Sequence, residues 1–439
     1  MSLRAGPEHP RFRDTVRRLP PTVWIVSLGI LVVRVGNFLP VFMVLYLTSR
    51  DIPPAAAGLV LGAAGLGNIL GSAIGGYLAD RIGRRWTIVL SMVTTAGPTA
   101  AIPLFDELAV LISLVFLAGT ASQIYRPAAA ALLVDATTTT QQRLAAFAVH
   151  RFAMNIGAAV GGVLGGILAT VSYIALFLGN AVACLLLAAI AALFLRDLTP
   201  ARAHPDIPGD PPPAPPPGEP IPATPEPSYR QALTDRRLRR FLVMTVIAEF
   251  VYIQSTVGLP LHVDAHHLTP ADFGLLMGLN GVMVLLLELP ITGLVSRRSP
   301  GAVLALGNVL TGVGLAMTGF FGEMHWLAAT ILIWTMGEML YASMASAYLG
   351  DLAPPTMGGR YQGLYSAAIT AGTGLGPLIG GAVYAFNSWA LWTVCALGGL
   401  LSAWLCLPSW KDRRTRTTSA MEEPKAPAPP VHEPGGPIS

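Results

Sequence analysis

A chain of 439 residues that is 53% hydrophobic and 12% charged cannot clothe a soluble globule, whose surface takes a larger charged share. A formal net charge of +4 is too modest to mark a nucleic-acid binder, and three cysteines at no metal spacing exclude a disulfide framework or a zinc site. A bilayer core of about 30 Å takes roughly 20 apolar residues per helix. We count twelve such stretches, so the predicted fold is an all-α membrane protein with twelve transmembrane helices in two six-helix bundles.

Residues 1–21 form an arginine-bearing arm with no small-residue cleavage site ahead of the first apolar stretch, which predicts an uncleaved start. The first bundle is assigned to 22–196 and the second to 239–410. Between them, 197–238 carries runs such as Pro211-Pro212-Pro213 and Pro215-Pro216-Pro217. Proline at that density favours extended polyproline conformations, so a linker is expected there. The tail 411–439 is polar and proline-containing, and is expected to be disordered. Lys and Arg concentrate in the arm, the tail and the loops after the even-numbered helices. The opposite side holds Arg50 beside Asp106, Glu107, Asp264, Asp272 and Glu323. Positive-inside bias places both termini in the cytoplasm and predicts a multi-pass protein of a bacterial plasma membrane.

The second and third stretches are joined by Gly76-Tyr77-Leu78-Ala79-Asp80-Arg81-Ile82-Gly83-Arg84-Arg85. A helix ending near Ala79 and another starting near Trp86 would leave these charges in a loop. Asp80 could pair there with Arg81 or Arg85, or face the positive end of a neighbouring helix.

An internal repeat relates the two halves. Gly58, Gly62, Gly65, Tyr125 and Asp135 recur as Gly274, Gly278, Gly281, Tyr341 and Asp351, each shifted by 216 residues. Two parallel six-helix repeats are the plan of a rocker-type transporter, with its site where the halves meet. Small residues supply close helix packing inside lipid. The stripe Gly157, Gly161 and Gly165 on the fifth helix is therefore a candidate gate that slides as the halves rock.

Charges inside the membrane are costly and need a cavity or a partner. Arg34, Arg126 and Arg151 lie in the first half, and Glu249, Glu288 and Glu338 in the second. The expectation is that Glu338 or Glu249, with Glu288 as a third candidate, takes up a proton, while Arg34 or Arg126 serves as the charge partner. Arg151 with His150 is read as structural. Asn37, Gln254 and Asn280 are candidate hydrogen-bonders of the cavity.

The 76–85 motif resembles the signature between helices 2 and 3 of the major facilitator superfamily. That resemblance implies a gate role for Gly76, Asp80, Arg81, Gly83, Arg84 and Arg85, latching the cytoplasmic side closed. Within the superfamily the chain looks most like the MdtH-like multidrug-resistance branch. The supporting residues are Arg34-Val35-Gly36-Asn37-Phe38, Tyr125-Arg126-Pro127, Asn155-Ile156-Gly157 and Gly337-Glu338. The resemblance implies a monomeric, proton-coupled exporter of drugs or small amphipathic metabolites, embedded in the lipid bilayer and without a cofactor. Three departures stand against it. Val160 and Gly161 replace the proline of the antiporters' helix 5 motif, residues 113–115 read Ser-Leu-Val where many antiporters carry an arginine, and Ser296 replaces Asp80 in the second-half copy. A proton-coupled importer or facilitator of a small solute such as a peptide stays open, as does a non-transporting sensor or assembly partner. No phosphate loop or catalytic triad suggests an enzyme.

Overall fold

The computed structural model of the chain describes residues 12–195, 229–295, 298–354 and 357–407. The arm ahead of residue 12, the proline-rich stretch 196–228, Ser296 with Arg297, and the tail from 408 lie outside those residues, and with them the tail expectation, most of the linker expectation and Ser296 of the second-half copy of the loop.

Among the described residues twelve helices are long and apolar enough to span a membrane. In chain order they are α1 (Pro21–Thr48), α2 (Pro54–Arg81), α3 (Arg84–Leu104), α4 (Leu108–Asp135), α5 (Gln141–Val171) and α6 (Tyr173–Phe194) in the first half. The second half has α7 (Arg236–Ala265), α8 (Pro270–Val295), α9 (Pro300–Phe320), α10 (Met324–Leu352), α11 (Arg360–Phe386) and α12 (Ser388–Cys406). The protein is a multi-pass membrane protein. Part of the stretch assigned to the linker is helical instead: Tyr229–Thr234 forms a short helix and α7 starts at Arg236. Asp235 causes that start, because its carboxylate accepts from the Arg237 backbone N–H at 2.8 Å and caps the helix.

The repeat is visible in the break of one helix per half. α1 is interrupted between Val35 and Leu39, and α7 turns through a 3₁₀ segment at Ile253–Ser255 before resuming at Gly258. Each break sits just ahead of a proline, Pro40 or Pro260, whose ring clashes with the carbonyl four residues earlier. Polar residues enter the bundle at these interruptions.

The loop after α2 is shorter than the sequence suggests. Asp80 and Arg81 belong to the last turn of α2, and Arg84 and Arg85 open α3. The turn itself is Ile82-Gly83, with Gly83 at φ 86° and ψ 158°, a region that is essentially reserved for glycine.

Three apolar cores set the shape. One lies at the acid-bearing end and joins both halves, with Phe42, Tyr46, Val60 and Phe177 packed in the same cluster as Leu261, Phe273, Trp334 and Trp392. At the end that carries Asp80 and Arg84, hereafter the basic end, the cores are separate. Val23, Ile88, Leu132 and Ala145 belong to the first half alone, and Leu238, Leu304, Leu349 and Tyr361 to the second. The halves are thus sealed at the acidic end and parted at the basic end.

Two helix pairs make the seal, and the repeated glycines make it tight. On α2, a Cβ at Gly65 would come within 3.0 Å of the Gly374 Cα of α11, and one at Gly58 would strike the Pro377 carbonyl. On α8, Gly274 and Gly278 meet Gly166, Gly162 and Val163 of α5, the same contact turned by the pseudo-twofold. The expected gate stripe is corrected here. Gly157 and Gly161 pack on α1, where a Cβ would reach the Arg34 Cβ at 2.5 Å and the Arg34 carbonyl at 2.8 Å. Gly165 packs on the Phe38 and Phe42 rings. Gly162 and Gly166, one position after Gly161 and Gly165, face the other half, because one residue turns a helix by about 100°.

Candidate functional site

The break in α1 aims Arg34 and Asn37 into a cavity of about 110 Å³ inside the first half. Asn68 of α2, Gln123 and Arg126 of α4 and Asn180 of α6 add to its polar wall, and among the described residues no carboxylate lines it. Arg34 is half-buried and Arg126 exposed. The Arg34 Nε is enclosed without a hydrogen-bond partner.

Acidic groups gather in the second half. The two oxygens of the half-buried Glu338 carboxylate are each held by a neutral donor: Oε1 accepts from the Tyr252 hydroxyl at 2.8 Å and Oε2 from the Asn280 amide at 2.9 Å. The same amide donates to the Thr335 hydroxyl at 2.9 Å. Glu249, also half-buried, lies on α7 where α11 approaches it at Gly372. The expected pairing of these carboxylates with Arg34 or Arg126 is corrected: among the described residues no ion pair joins them. The arginines sit inside one bundle and the carboxylates inside the other. Sequence depth along a helix gives the level of a residue but not the direction in which it points.

Among the described residues one ion pair does cross between the halves. Arg151 of α5 binds Glu288 of α8, and the Asn155 amide donates to the other Glu288 oxygen at 3.2 Å. Glu288 is thus ion-paired, and Arg151, read as structural, is the cation that reaches the other half. The signal was available in sequence, since Arg151 and Asn155 are four apart on one helix face. The side chains are 59% and 12% exposed for Arg151 and Glu288, so loss of the arginine strands a carboxylate that water reaches poorly. Arg151→Ala is expected to destabilise the protein by about 1–3 kcal/mol, less than for a fully buried pair because of the exposed guanidinium. Thermal unfolding in detergent checks it, and Arg151→Ala/Glu288→Gln should recover part of the loss.

Gln254 is also corrected. It is fully buried, and its amide donates to the Phe250 carbonyl at 2.9 Å and the Gly376 carbonyl at 3.1 Å. It therefore ties the α7 break to α11 and is not free to serve a cavity. Asn280 serves Glu338, as described, and Asn37 lines the first-half cavity.

In the 76–85 motif the charges divide. Arg84 forms an ion pair with Asp135 at the end of α4 and donates to the Ala131 carbonyl at 3.1 Å. Arg85 reaches the Ala192 carbonyl of α6. Neither Arg81 nor Arg85 forms an ion pair with Asp80 among the described residues; Asp80 is exposed, and Arg81 lies over the Tyr77 ring at 5.4 Å. At Gly76 a Cβ would meet nothing within 4 Å.

The sequence profile of the Major Facilitator Superfamily matches residues 26–360 and 264–434. The chain is 28% identical over 370 residues to the uncharacterised MFS-type transporter YqjV of Bacillus subtilis, covering 82% of this chain and 86% of that one. It is 23% identical over 371 residues to a Na(+), Li(+), K(+)/H(+) antiporter of Planococcus maritimus, covering 77% and 83%. Among solved structures, a peptide transporter POT in complex with sulfate superposes with a TM-score of 0.72 at 15% identity, covering 91% of this chain and 97% of that one. The nucleoside transporter NupG superposes with a TM-score of 0.68 at 15% identity, covering 92% and 100%. These likenesses show the fold, and with the profile match they show that the chain belongs to the Major Facilitator Superfamily and is a membrane transporter of that kind.

Proposed function

We propose that the protein is a secondary active transporter that exports drugs or small amphipathic metabolites in exchange for protons, by alternating access, as in the MdtH-like branch it resembles. Glu338 is the observation that carries proton coupling. It sits within the membrane span, its carboxylate held by neutral hydrogen-bond donors and in no ion pair among the described residues, so it can gain or lose a proton without breaking one. Keeping it charged at mid-membrane would cost about 2.5–3.5 kcal/mol on insertion scales, which makes its proton state responsive to hydration and to cargo. Glu249 is the second carrier, and Glu288 is engaged by Arg151. The name of the Planococcus maritimus relative supports antiport.

Alternating access draws support from α2. Gly58, Gly62, Gly65 and Gly76 lie on one helix face, and the first three are occupied by α11 while Gly76 faces open space. Closure of the basic end brings α11 onto Gly76, with Asp80 and Arg81 as the latch. Both termini are cytoplasmic in this reading, so the conformation described is open to the inside.

The test is proton movement in inverted vesicles challenged with lipophilic cations, neutral drugs, organic anions and dipeptides. Proton release from an acidified interior on adding a compound, lost in Glu338→Gln, is the expected result. Equilibration of a labelled compound with no proton flux would sink the antiport reading and favour a facilitator, and proton flux running with the compound would favour an importer.

A further inference from the structure

We infer that the first-half cavity binds an anionic group of the cargo, a carboxylate, phosphonate or sulfonate carried on a small organic molecule. The inference rests on the transporter reading and narrows its substrate class. The cavity, about 110 Å³, exceeds by several times the roughly 10–15 Å³ that one water needs, so it admits a ligand headgroup.

Its wall carries two guanidinium groups and, among the described residues, no carboxylate. Arg34 and Arg126 both line it, neither forms an ion pair among the described residues, and the Arg34 Nε is enclosed with no hydrogen-bond partner. His150 of α5 stands within electrostatic reach of both arginines, and its Nδ1 is likewise enclosed without a partner. A donor buried without an acceptor costs free energy, and like charges held together cost more. Elsewhere two arginines of the spanning helices are paired, Arg84 at the start of α3 with Asp135 and Arg151 of α5 with Glu288. Leaving Arg34 and Arg126 unpaired among the described residues makes the cavity a place where positive charge lacks a counter-charge.

The type of residue also matters. A guanidinium presents a planar fork that matches two oxygens of a carboxylate or phosphonate, whereas ammonium groups act as point charges. Asn37 and Asn68 add neutral amides beside it. A cationic cargo would be repelled here, and the half that could receive one is the other, at Glu249 and Glu338. The two halves therefore divide the work: the first holds the anion and the second holds the proton.

The experiment measures binding to the purified full chain in nanodiscs, by calorimetry and thermal shift, with benzoate and phenylphosphonate as probes. Benzamide, benzylammonium and chloride serve as comparisons. The expected result is binding of the two organic anions alone, weakened roughly tenfold or more by Arg34→Gln and by Arg126→Gln. Arg126→Lys should keep part of the affinity, since it retains the charge and loses the fork. The exposed Arg126 carries the test should Arg34→Gln fail to fold. Equal binding of benzamide or benzylammonium, saturation by chloride alone, or benzoate affinity unchanged in Arg126→Gln overturns the inference. Glu338→Gln should retain benzoate binding, because it lies in the other half. Intact benzoate binding with no proton flux in vesicles would sink the coupling and leave the anion site, and proton flux without benzoate binding would do the reverse.

Discussion

Replacing Arg84 by alanine is expected to destabilise the protein by about 3–5 kcal/mol, the range for breaking a buried ion pair from one side. Its partner Asp135 is the more enclosed, with the side chains 21% and 11% exposed for Arg84 and Asp135. Their positions make the pairing compulsory. Arg84 opens α3, where the helix dipole disfavours a cation, and Asp135 closes α4, where the dipole disfavours an anion. Each charge stands at the wrong end of its own helix and is stabilised by the other. The second half supports the argument: Asp351 occupies the position of Asp135, the counterpart of Arg84 is Pro300, and Asp351 is exposed to solvent. Thermal unfolding in detergent measures the loss. Arg84→Ala/Asp135→Asn should be markedly more stable than Arg84→Ala, because the stranded charge is gone. Equal destabilisation of the single and double variants would mean that packing of the arginine, and not its charge, holds the turn.

Leucine at Gly58 is expected to abolish transport while leaving the fold intact. Even a Cβ at this position strikes the Pro377 carbonyl of the opposite half and comes within 3.3 Å of the Gly381 Cα. The acidic end must open to admit the side chain. Overpacking costs of about 1–3 kcal/mol shift a two-state equilibrium by about 5- to 150-fold, and leucine lies at or beyond the upper end. A suitable reporter is Phe42→Cys, since Phe42 is fully buried at the seam with its ring 5.6 Å from that of Phe273. That thiol should resist a membrane-impermeant maleimide in the otherwise native protein and react once Gly58→Leu is added. Gly71→Leu gives the contrast. Gly71 packs against the Thr120 carbonyl of α4 within the same half, so leucine there should unfold the bundle. An unreactive Phe42→Cys in the Gly58→Leu background would show that the seal does not depend on this contact.

Much of this was legible in the residues. The twelve spans follow from apolar runs that water would expose at great cost, and the repeat from glycines that recur at a fixed shift. The placement of the intramembrane arginines Arg34, Arg126 and Arg151 in the first half and of Glu249, Glu288 and Glu338 in the second also needs nothing but the sequence. The 76–85 motif and the domain order likewise carry a family resemblance strong enough to name the superfamily.

Tertiary structure decided which faces meet. Gly157 and Gly162 differ by five residues in a single glycine-rich helix, yet one packs on α1 and the other on α8 of the opposite half. Gln254 and Asn280 looked alike as polar residues in apolar helices. A helix break turned the first into a backbone tie, and the second became a support for Glu338. Arg34 and Glu338 stand at similar depth, but their bundles hold them apart, and Arg151 is the arginine that crosses. The physical reason is common to all these cases. Hydrophobicity and spacing along the chain fix how far into the membrane a residue lies, whereas its partner depends on rotation about the helix axis. That rotation is set only when all twelve helices pack together.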